Sequence, residues 1–399
     1  MSSPFPIQNL PYGVFSPRRE SRRVGVAIGD QVADLAALEA AGLLGRTDGA
    51  FSTGSLNAFM AAGKRLWTDV RSRLTDLLAA ENRAAAVRHS LVPQSEVKLH
   101  LPFQVADYVD FYSSINHAEN VGRIFRPDAE PLTANWRYLP IGYHGRSGTV
   151  VVSGTPIVRP RGQRQGPPGK DPTFGPSTRL DIECEVGFVV GVGSTMGQPV
   201  PASAFAEHVF GVVLLNDWSA RDIQAWESAP LGPFLGKSFA TSVSPWVVPL
   251  AALGPARVAL PQQEPPPLPY LRDDDPWALQ LGLSISLNGE VVSQPPFASM
   301  YWSPGQQLAH LTVNGASLRT GDLYGSGTVS GPAPEQRGSL LELTGNGTTP
   351  IRLRDGSTRA FLEDGDTVSI TASARGAEDV RIGFGSVEGT VVPAISSPS

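Results

Sequence analysis

The sequence predicts a mainly β protein with short helices, an α+β fold. Its 399 residues include 42 glycines and 36 prolines, which favour turns and strands over long helices. From 279 to 287 apolar and polar residues alternate, as in a strand with one buried face, and Asn288-Gly289 then predicts a hairpin turn. From 208 to 215 the chain is almost continuously apolar, which is typical of a strand buried on both faces.

The first hundred residues predict a small β-rich unit. Segments 23–28 and 31–35 predict a hairpin about the turn Gly29-Asp30. Ser55 is a candidate cap for a short helix that reaches Met60. A packing helix is then predicted by apolar residues at helical spacing, namely Leu66, Val70, Leu74, Leu77 and Leu78.

Further strands are predicted beyond residue 101. They cover 149–153, 181–192, 290–292 and 367–371, and a short helix is predicted at 306–311 with Pro304 near its start. Segments 162–176 and 255–276 are rich in proline, glycine or charge, so we expect long surface loops there.

Composition and charge exclude several classes of function. The net charge is −5 and no basic stripe offsets it, which argues against a nucleic-acid partner. The N-terminus lacks the basic and apolar regions of a secretory signal, and no apolar run is long enough to span a bilayer. Cys184 is the single cysteine, so no internal disulfide can form. We therefore expect a soluble cytoplasmic protein with no membrane partner.

Four acidic residues are candidate metal ligands. If 183–185 is a strand, Glu183 and Glu185 face one side and Cys184 the other. Asp217 follows the apolar strand at 208–215, and Asp110 lies in the dense segment Asp110-Phe111-Tyr112. Because an all-oxygen carboxylate cluster suits a hard cation, it predicts Mg²⁺ or Ca²⁺. Periodicity alone leaves an alternative open, in which the two glutamates are paired with Arg179 and Arg221.

His117, Arg221, Gln224 and Lys237 are the candidate catalytic groups that the sequence offers beside the acids. A histidine is a suitable base for activating water, and it needs an orienting acceptor that spacing does not identify. Arg221 and Gln224 share a face if their segment is helical, and both donate hydrogen bonds to an oxyanion or carboxylate; the alternative is a helix cap with surface ion pairs. Lys237 lies in a tight apolar segment.

Together these segments are similar to the fumarylacetoacetate hydrolase family. The matching stretches follow the family's order and are DYVDFYSSINHAENVGRIFR, LPIGYHGR, DIECEVGF, NDWSARDIQAWE, PLGPFLGKSFATSVSPWVVP, GSGTVSG and GSLLEL. The early PYGVFS and VGVAIGDQVADL resemble the family's N-terminal domain. The resemblance implies an SH3-like β domain at 1–101 and a catalytic mixed β-roll at 102–399, in a protein that forms a homodimer.

The resemblance also implies a role for each site residue. It implies metal carboxylates at Asp110, Glu183, Glu185 and Asp217, with Lys237 and Thr241 around the metal. His117 matches the base that activates water, Glu342 matches its orienting acid, and Arg221 joins Lys237 among the oxyanion donors. Substrate contacts are implied for Tyr112, Arg126, Tyr143, Gln224 and Thr328. The sequence departs from the family at Ser228, where well-known members carry a tyrosine that touches substrate.

The activity implied is metal-dependent hydrolysis of the carbon–carbon bond of 4-fumarylacetoacetate, a small β-diketo acid. Its products are fumarate and acetoacetate, at the last step of tyrosine and phenylalanine degradation. Two alternatives remain: an acylpyruvate hydrolase or metal-dependent decarboxylase on the same scaffold, and a binding or structural protein without turnover. The length of the chain and its N-terminal domain disfavour the first alternative. The second is disfavoured because this sequence keeps every catalytic residue that the resemblance implies.

Overall fold

A computed structural model describes residues 3–17, 20–79 and 85–396 of the chain. These residues are mainly β with short helices, as predicted. The first hundred residues form strands β1 (Tyr12–Pro17), β2 (Arg23–Ile28), β3 (Gln31–Asp34), β4 (Leu91–Pro93) and β5 (Val97–His100), and helices α1 (Leu35–Ala40), α2 (Asn57–Ala61), α3 (Lys64–Ala79) and α4 (Ala85–His89).

The middle of the chain carries most of the strands. These are β6 (Tyr108–Phe111), β7 (Gly142–His144), β8 (Val150–Val152), β9 (Ile157–Val158), β10 (Arg161–Arg164), β11 (Thr173–Pro176), β12 (Leu180–Asp181), β13 (Cys184–Val190), β14 (Val209–Asp217), β15 (Ser219–Ala220), β16 (Thr241–Val243) and β17 (Trp246–Pro249). Its helices are α5 (Ile115–Phe125), α6 (Phe205–His208) and α7 (Arg221–Glu227).

The last part of the chain adds a second sheet, of order β21-β20-β25-β26-β9. Its strands and helices are β18 (Arg257–Ala259), β19 (Trp277–Leu279), β20 (Leu281–Leu287), β21 (Glu290–Ser293), α8 (Pro304–Thr312), β22 (Leu323–Gly325), α9 (Leu340–Leu343), β23 (Ile351–Arg352), β24 (Thr358–Arg359), β25 (Thr367–Arg375) and β26 (Arg381–Val392). Among the described residues, no helix is long and apolar enough to cross a membrane.

Several local predictions are confirmed by the backbone. Asn288 and Gly289 both have positive φ (52° and 81°), which is the geometry of a tight turn between β20 and β21. A capping box between Ser303 and Gln306 starts α8. The predicted stripe lies on α3, where Val70, Leu74 and Leu78 are buried.

Other local predictions were wrong in detail. The helix after Ser55 begins at Asn57, with Leu56 as its N-cap residue. The predicted strand at 181–192 is interrupted, so Glu183 precedes β13 and lies outside it. Segment 162–176 is a hairpin, because β10 pairs with β11, and 255–276 includes β18, which pairs with β19.

The largest sheet places the site residues on neighbouring strands. Within the described residues it runs β4-β3-β2-β1-β17-β14-β13-β22-β6-β7. Strand β6 pairs in parallel with β22, which sets Asp110 beside Gly325, and antiparallel with β7, which sets Asp110 opposite Tyr143. Strand β14 pairs with β16, which sets Asp217 opposite Thr241. Residues distant in sequence therefore meet at one region of the sheet.

The N-terminal strands belong to this same sheet. Tyr12 and Gly13 of β1 pair with Val247 and Trp246 of β17, and a Cβ on Gly13 would lie 2.5 Å from the Trp246 ring. One apolar cluster contains residues from before and after position 101. The division into domains at 1–101 and 102–399 stays a prediction. Residues 1 and 399, the outer bounds of these two domains, lie outside the described residues.

A buried ion pair anchors the turn that leads into β25. Nε of Arg359 donates to Oδ2 of Asp366 at 2.8 Å, and Asn288 Nδ2 donates to Oδ1 at 2.8 Å. Burial would raise the pKa of Asp366, but the hydrogen bonds from Arg359 and Asn288 and the nearby positive charge hold it below its ordinary value. Ionised Asp366 therefore stabilises this turn.

Candidate active site

Three buried carboxylates converge where β6, β13 and β14 lie close together. Asp110 lies on β6, Glu183 immediately precedes β13, and Asp217 ends β14. One carboxylate oxygen from each lies within 4.8 Å of those of the other two. The structure thus brings together three of the four predicted acidic ligands. Their role in holding a metal stays a prediction.

The fourth acid, Glu185, lies on the Asp110 side of this group. A Cβ built on Gly325 would lie 2.5 Å from Oε2 of Glu185 and 3.4 Å from Oδ1 of Asp110. Oε2 accepts a hydrogen bond from the Gly327 amide at 3.1 Å. Glu183 precedes the strand, so the prediction that Glu183 and Glu185 share one face of a strand was wrong in its reason. Both carboxylates nevertheless lie at this cluster, while Cys184 packs into the apolar core.

The acid cluster has the properties of a cation site. Oδ1 of Asp110 and Oε1 of Glu185 are buried and have no hydrogen-bond partner within the described part of the chain. Burial and then the neighbouring Asp217 carboxylate raise the pKa of Asp110 well above its usual range; burial and then Asp110 do the same to Glu185. Orphaned acceptor oxygens in an all-oxygen set fit a hard divalent cation.

Lys237, Thr241 and Tyr143 bind the acids directly. Nζ of Lys237 lies 2.5 Å from Oε2 of Glu183 and 2.9 Å from Oδ2 of Asp217. Thr241 Oγ1 donates to Oδ1 of Asp217 at 3.0 Å, and the Tyr143 hydroxyl lies 2.9 Å from Asp110 and 3.1 Å from Asp217. An ammonium group has no lone pair to offer a metal, so Lys237 contributes compensating charge here.

Arg221 is buried against the cluster, and its ion pairs are not at the surface. Its Nε donates to Asp181 at 2.8 Å and its Nη1 lies 2.7 Å from Glu183. The Nη1 group also donates to Oε1 of Gln224 at 3.2 Å, since both residues lie on α7 as the spacing predicted. One part of the sequence alternative is therefore found, since Arg221 pairs with Glu183, whereas Arg179 pairs with neither glutamate. Nη2 of Arg221 is buried and has no partner among the described residues.

Arg179, the other candidate partner for the glutamates, lies elsewhere. Its Nη1 donates to Oδ1 of Asn346 at 3.0 Å, and its guanidinium lies over the Phe361 ring.

Asp181 is a buried residue that the sequence reasoning missed. Its carboxylate accepts hydrogen bonds from the backbone amides of Leu340 (2.7 Å) and Leu341 (3.0 Å), at the start of α9, as well as from Arg221. It therefore ties Arg221 to the helix that carries Glu342. The alternation of acids at 181, 183 and 185 is the sequence signal that was available.

His117 and Glu342 form a buried dyad. Ser114 caps α5 by accepting from the His117 amide, and His117 Nδ1 lies 2.7 Å from Oε2 of Glu342 on α9. Oε2 also accepts from Ser339 at 2.8 Å and Ser330 at 3.0 Å, while Oε1 accepts from Asn120 at 2.9 Å. These three supporting residues were not identified from the sequence.

The charge state of Glu342 decides which way the dyad hydrogen bond runs. Burial would raise its pKa, but His117 and the surrounding hydrogen-bond donors hold that pKa below its ordinary value. An ionised carboxylate only accepts, so Nδ1 of His117 donates and Nε2 is left free to accept a proton. The ring of Tyr112 packs edge-on against His117, with centroids 5.2 Å apart.

Most of the predicted residues line one cavity of about 560 Å³. Ser228 contributes to its wall, and the predicted residues among those lining it are Asp110, Tyr112, His117, Tyr143, Glu183, Arg221, Gln224, Lys237 and Thr328. A cavity of similar volume, about 570 Å³, lies beside α3 and is lined by none of the predicted site residues. The volumes do not distinguish the two, but the clustered acids and the dyad select the first.

Five predicted residues do not line this cavity. Four of them lie behind the lining residues, where each is next to a lining residue or to a member of the acid cluster. These four are Glu185, Asp217, Thr241 and Glu342. Arg126 is exposed, and its Nη2 donates to the carbonyl of Pro131 at 2.6 Å. A substrate contact for Arg126 stays a prediction.

Comparison with known proteins gives one consistent family. Residues 108–392 match the family model described as "Fumarylacetoacetate (FAA) hydrolase C-terminal", and residues 8–102 match "Fumarylacetoacetase N-terminal". The chain is 50% identical to fumarylacetoacetase of Homo sapiens, over 98% of this chain and 97% of that protein. It is 46% identical to fumarylacetoacetase of Arabidopsis thaliana, over 98% and 96%.

Solved structures agree in fold. The fumarylacetoacetate hydrolase of Exiguobacterium antarcticum superposes with a TM-score of 0.56 at 17% identity, over 96% of this chain and 99% of that one. Maleylpyruvate hydrolase from Sphingobium gives a TM-score of 0.52 at 16% identity, over 96% and 100%. These structural likenesses concern the fold alone; the family models and the identity over nearly the whole length show that the chain belongs to the fumarylacetoacetate hydrolase family.

Proposed function

We propose that the chain hydrolyses the carbon–carbon bond of 4-fumarylacetoacetate to fumarate and acetoacetate, at the last step of tyrosine and phenylalanine degradation. The observation that carries the proposal is that the His117–Glu342 dyad and the acid cluster open on the same cavity. The relatives that are 44–50% identical over nearly their whole length are fumarylacetoacetases, which supports this substrate.

His117 is the base that we assign to the attacking water. Its Nδ1 is held by Glu342, so Nε2 accepts a proton from water as the oxygen attacks the carbonyl on the fumaryl side. Glu342 fixes the tautomer and the ring angle and stabilises the imidazolium that forms. The carbon–carbon bond then breaks, its electron pair passes to the acetoacetate carbon, and that carbon takes up a proton, which balances the one that His117 removed from water.

The tetrahedral oxyanion needs donors that are already in position. Nη2 of Arg221 is a buried donor with no other partner in the described chain, and the amide NH₂ of Gln224 is free to donate because its oxygen accepts from Arg221. Lys237 is the third donor that we assign. Its charge is held at the cavity wall by Glu183 and Asp217.

The acids would hold a divalent cation, Mg²⁺ or Ca²⁺. Such a cation supplies Lewis-acid polarisation of the diketone oxygens when bound. Asp110, Glu183, Glu185 and Asp217 are the ligands that we assign to it. Even if Lys237 and Arg221 are counted fully against them, the four carboxylates keep two negative charges, which is the charge that one divalent cation offsets.

The remaining substrate contacts follow the resemblance, with support from the cavity wall. Tyr112, Tyr143 and Thr328 line the cavity, and Thr328 Oγ1 is buried without a hydrogen-bond partner in the described chain. Burial raises the pKa of Tyr112 and keeps the phenol protonated as a donor. Arg126 remains the proposed partner of a substrate carboxylate.

The assembly that we propose is a homodimer. Leu231, which lines the cavity, and its chain neighbours Phe234 and Leu235 have 97%, 61% and 49% of their surface exposed. Exposed apolar patches of this kind are typical of protein–protein contacts. Sedimentation equilibrium tests the state, and a monomer at micromolar concentration would contradict it.

A panel of β-diketo acids tests the activity. The panel contains fumarylacetoacetate, an acylpyruvate and a β-keto acid that loses CO₂ on decarboxylation, each assayed with Mg²⁺, with Ca²⁺ and with chelator. We expect equimolar fumarate and acetoacetate from the first, in a reaction that chelator abolishes. Preferential acylpyruvate cleavage or CO₂ release would favour the alternative enzymes, and no turnover of any member with either ion would contradict the proposal.

A further inference from the structure

A second cavity, of about 500 Å³, lies beside the catalytic cavity. We propose that it is a carboxylate-binding subsite in which Arg164 and Arg179 supply the positive charge. The part of this proposal that concerns the substrate rests on the proposed function.

The two cavities share a wall. Phe125, Arg221 and Ala225 line both of them. Arg221 and Ala225 lie one turn apart on α7, so they share a face of that helix. Gln224 lines only the catalytic cavity and Asp222 lines only the second one. Arg221 therefore forms part of the wall between the two cavities.

Positive charge exceeds negative charge in the second cavity. Asp222 is the only acid among the described residues that line it. Its carboxylate already accepts from the Ser177 hydroxyl at 2.6 Å and from the Thr178 amide and hydroxyl at 2.8 and 3.0 Å. Nη1 of Arg164 is 3.7 Å from Oδ2 of Asp222, which is too long for a hydrogen bond. Arg164 therefore retains donor capacity for a further anion.

Arg164 carries a buried donor that is not satisfied. Within the part of the chain that the structure describes, Nε of Arg164 has no hydrogen-bond partner. Leaving buried charged donors unpaired is costly, and a carboxylate is the group that a guanidinium fork binds best. A carboxylate in the cavity would satisfy the Arg164 donor.

The ligand has two sources with the same chemistry. The substrate of the proposed function is a dicarboxylic acid, so one end of it can occupy the catalytic cavity while the far carboxylate reaches past Phe125. Free fumarate, a product, carries the same group. The distinction is whether Arg164 and Arg179 act on substrate affinity or on fumarate affinity alone.

The test compares Arg164→Gln and Arg179→Gln with the control Arg161→Gln. Arg161 lies on the same strand as Arg164 and also has a buried Nε without a partner among the described residues, but it stacks on Phe174 and does not line the cavity. Steady-state kinetics use fumarylacetoacetate and 3,5-dioxohexanoate, a diketo acid that lacks the far carboxylate. Calorimetry measures fumarate binding in the absence of turnover.

If the far carboxylate of the substrate is the ligand, each test variant raises KM for fumarylacetoacetate by roughly 3- to 10-fold and leaves KM for 3,5-dioxohexanoate unchanged. If free fumarate is the ligand, its dissociation constant rises similarly while both KM values stay constant. Unchanged KM values and unchanged fumarate binding in both test variants, or equal losses in Arg161→Gln, overturn the subsite. Failure of the wild type to cleave either diketo acid overturns the proposed function, whereas the fumarate titrations still test the subsite.

Discussion

Replacing Glu342 by glutamine should slow turnover about tenfold, because it removes the charge of the dyad but not its shape. Oε2 of Glu342 accepts from His117, Ser339 and Ser330, and Oε1 accepts from Asn120. A glutamine carbonyl in the Oε2 position keeps the first three bonds, and the Asn120 amide can turn to accept from the new NH₂ group.

The size of this effect follows from the lost charge. A hydrogen bond to an ionised partner contributes about 1.5–3 kcal/mol, against about 0.5–1.5 kcal/mol for a neutral one. The difference, about 1–1.5 kcal/mol, corresponds to roughly a tenfold fall in kcat/KM. His117→Asn removes the base itself and should cost about 10²–10⁴-fold.

The double variant distinguishes a dyad from two separate contributions. Because Glu342 acts through His117, the double variant should be no slower than His117→Asn alone. Steady-state release of fumarate at saturating divalent cation measures all three, and calorimetry should show acetoacetate binding unchanged. Asn120→Ala is the control; it leaves the His117–Glu342 bond intact and should retain turnover within about threefold. Independent, multiplicative losses in the double variant would refute the dyad, and substantial turnover in His117→Asn would remove the histidine from the mechanism.

Four further predictions concern the cation site and the fold. Saturating Mg²⁺ or Ca²⁺ should raise the melting temperature of the wild type, because binding at a hundred times Kd adds about 2.7 kcal/mol to the free energy of unfolding. Glu183→Gln should abolish this rise. An unchanged rise in that variant would exclude Glu183 as a metal ligand. Gly325→Ala should weaken cation affinity by roughly tenfold, because its Cβ would lie 2.5 Å from a ligand carboxylate. Gly254→Ala, whose Cβ meets nothing within 4 Å, should not weaken it, and calorimetric titration compares the two. Cys184→Ala should keep near-normal kcat and lose about 1–2 kcal/mol of stability in urea unfolding, since the thiol packs into the core; a loss of activity comparable to that of Glu183→Gln would contradict this. Asp366→Asn should cost about 1.5–3 kcal/mol. The pKa of Asp366 is lowered in the folded state. Its contribution to the free energy of unfolding is therefore complete above the unfolded-state pKa of about 4 and is lost as the pH falls below that value. The free energy of unfolding of the variant should therefore fall less steeply with decreasing pH than that of the wild type.

Local sequence patterns correctly predicted some elements, including one strand that carries a site residue. The apolar run that became β14 ends at Asp217, and the Asn288-Gly289 turn formed as expected. Both predictions rest on local properties, because burial on two faces favours apolar residues and a positive φ favours asparagine and glycine.

Contacts between distant segments left no such mark. His117 and Glu342 are 225 residues apart, and only the packing of α5 against α9 brings them together. The residues alone therefore gave His117 no partner, and the family resemblance supplied Glu342. Asp181 was missed for the same reason: its partners at the start of α9 are about 160 residues away. Glu183 was misplaced inside a strand because the break before Cys184 depends on the pairing of β12 with β15.

The seam between β1 and β17 has a consequence for work with fragments. Only two residue pairs join these strands, yet β1 covers the edge of the sheet that contains the acid cluster. A fragment that starts after residue 101 would expose the free N–H and C=O groups of β17, together with the apolar side chains of Phe210 and Val247. Uncovered strand edges template intermolecular pairing. We therefore expect the isolated C-terminal part to aggregate. In the intact chain, the N-terminal strands cover this edge and so prevent self-association through it.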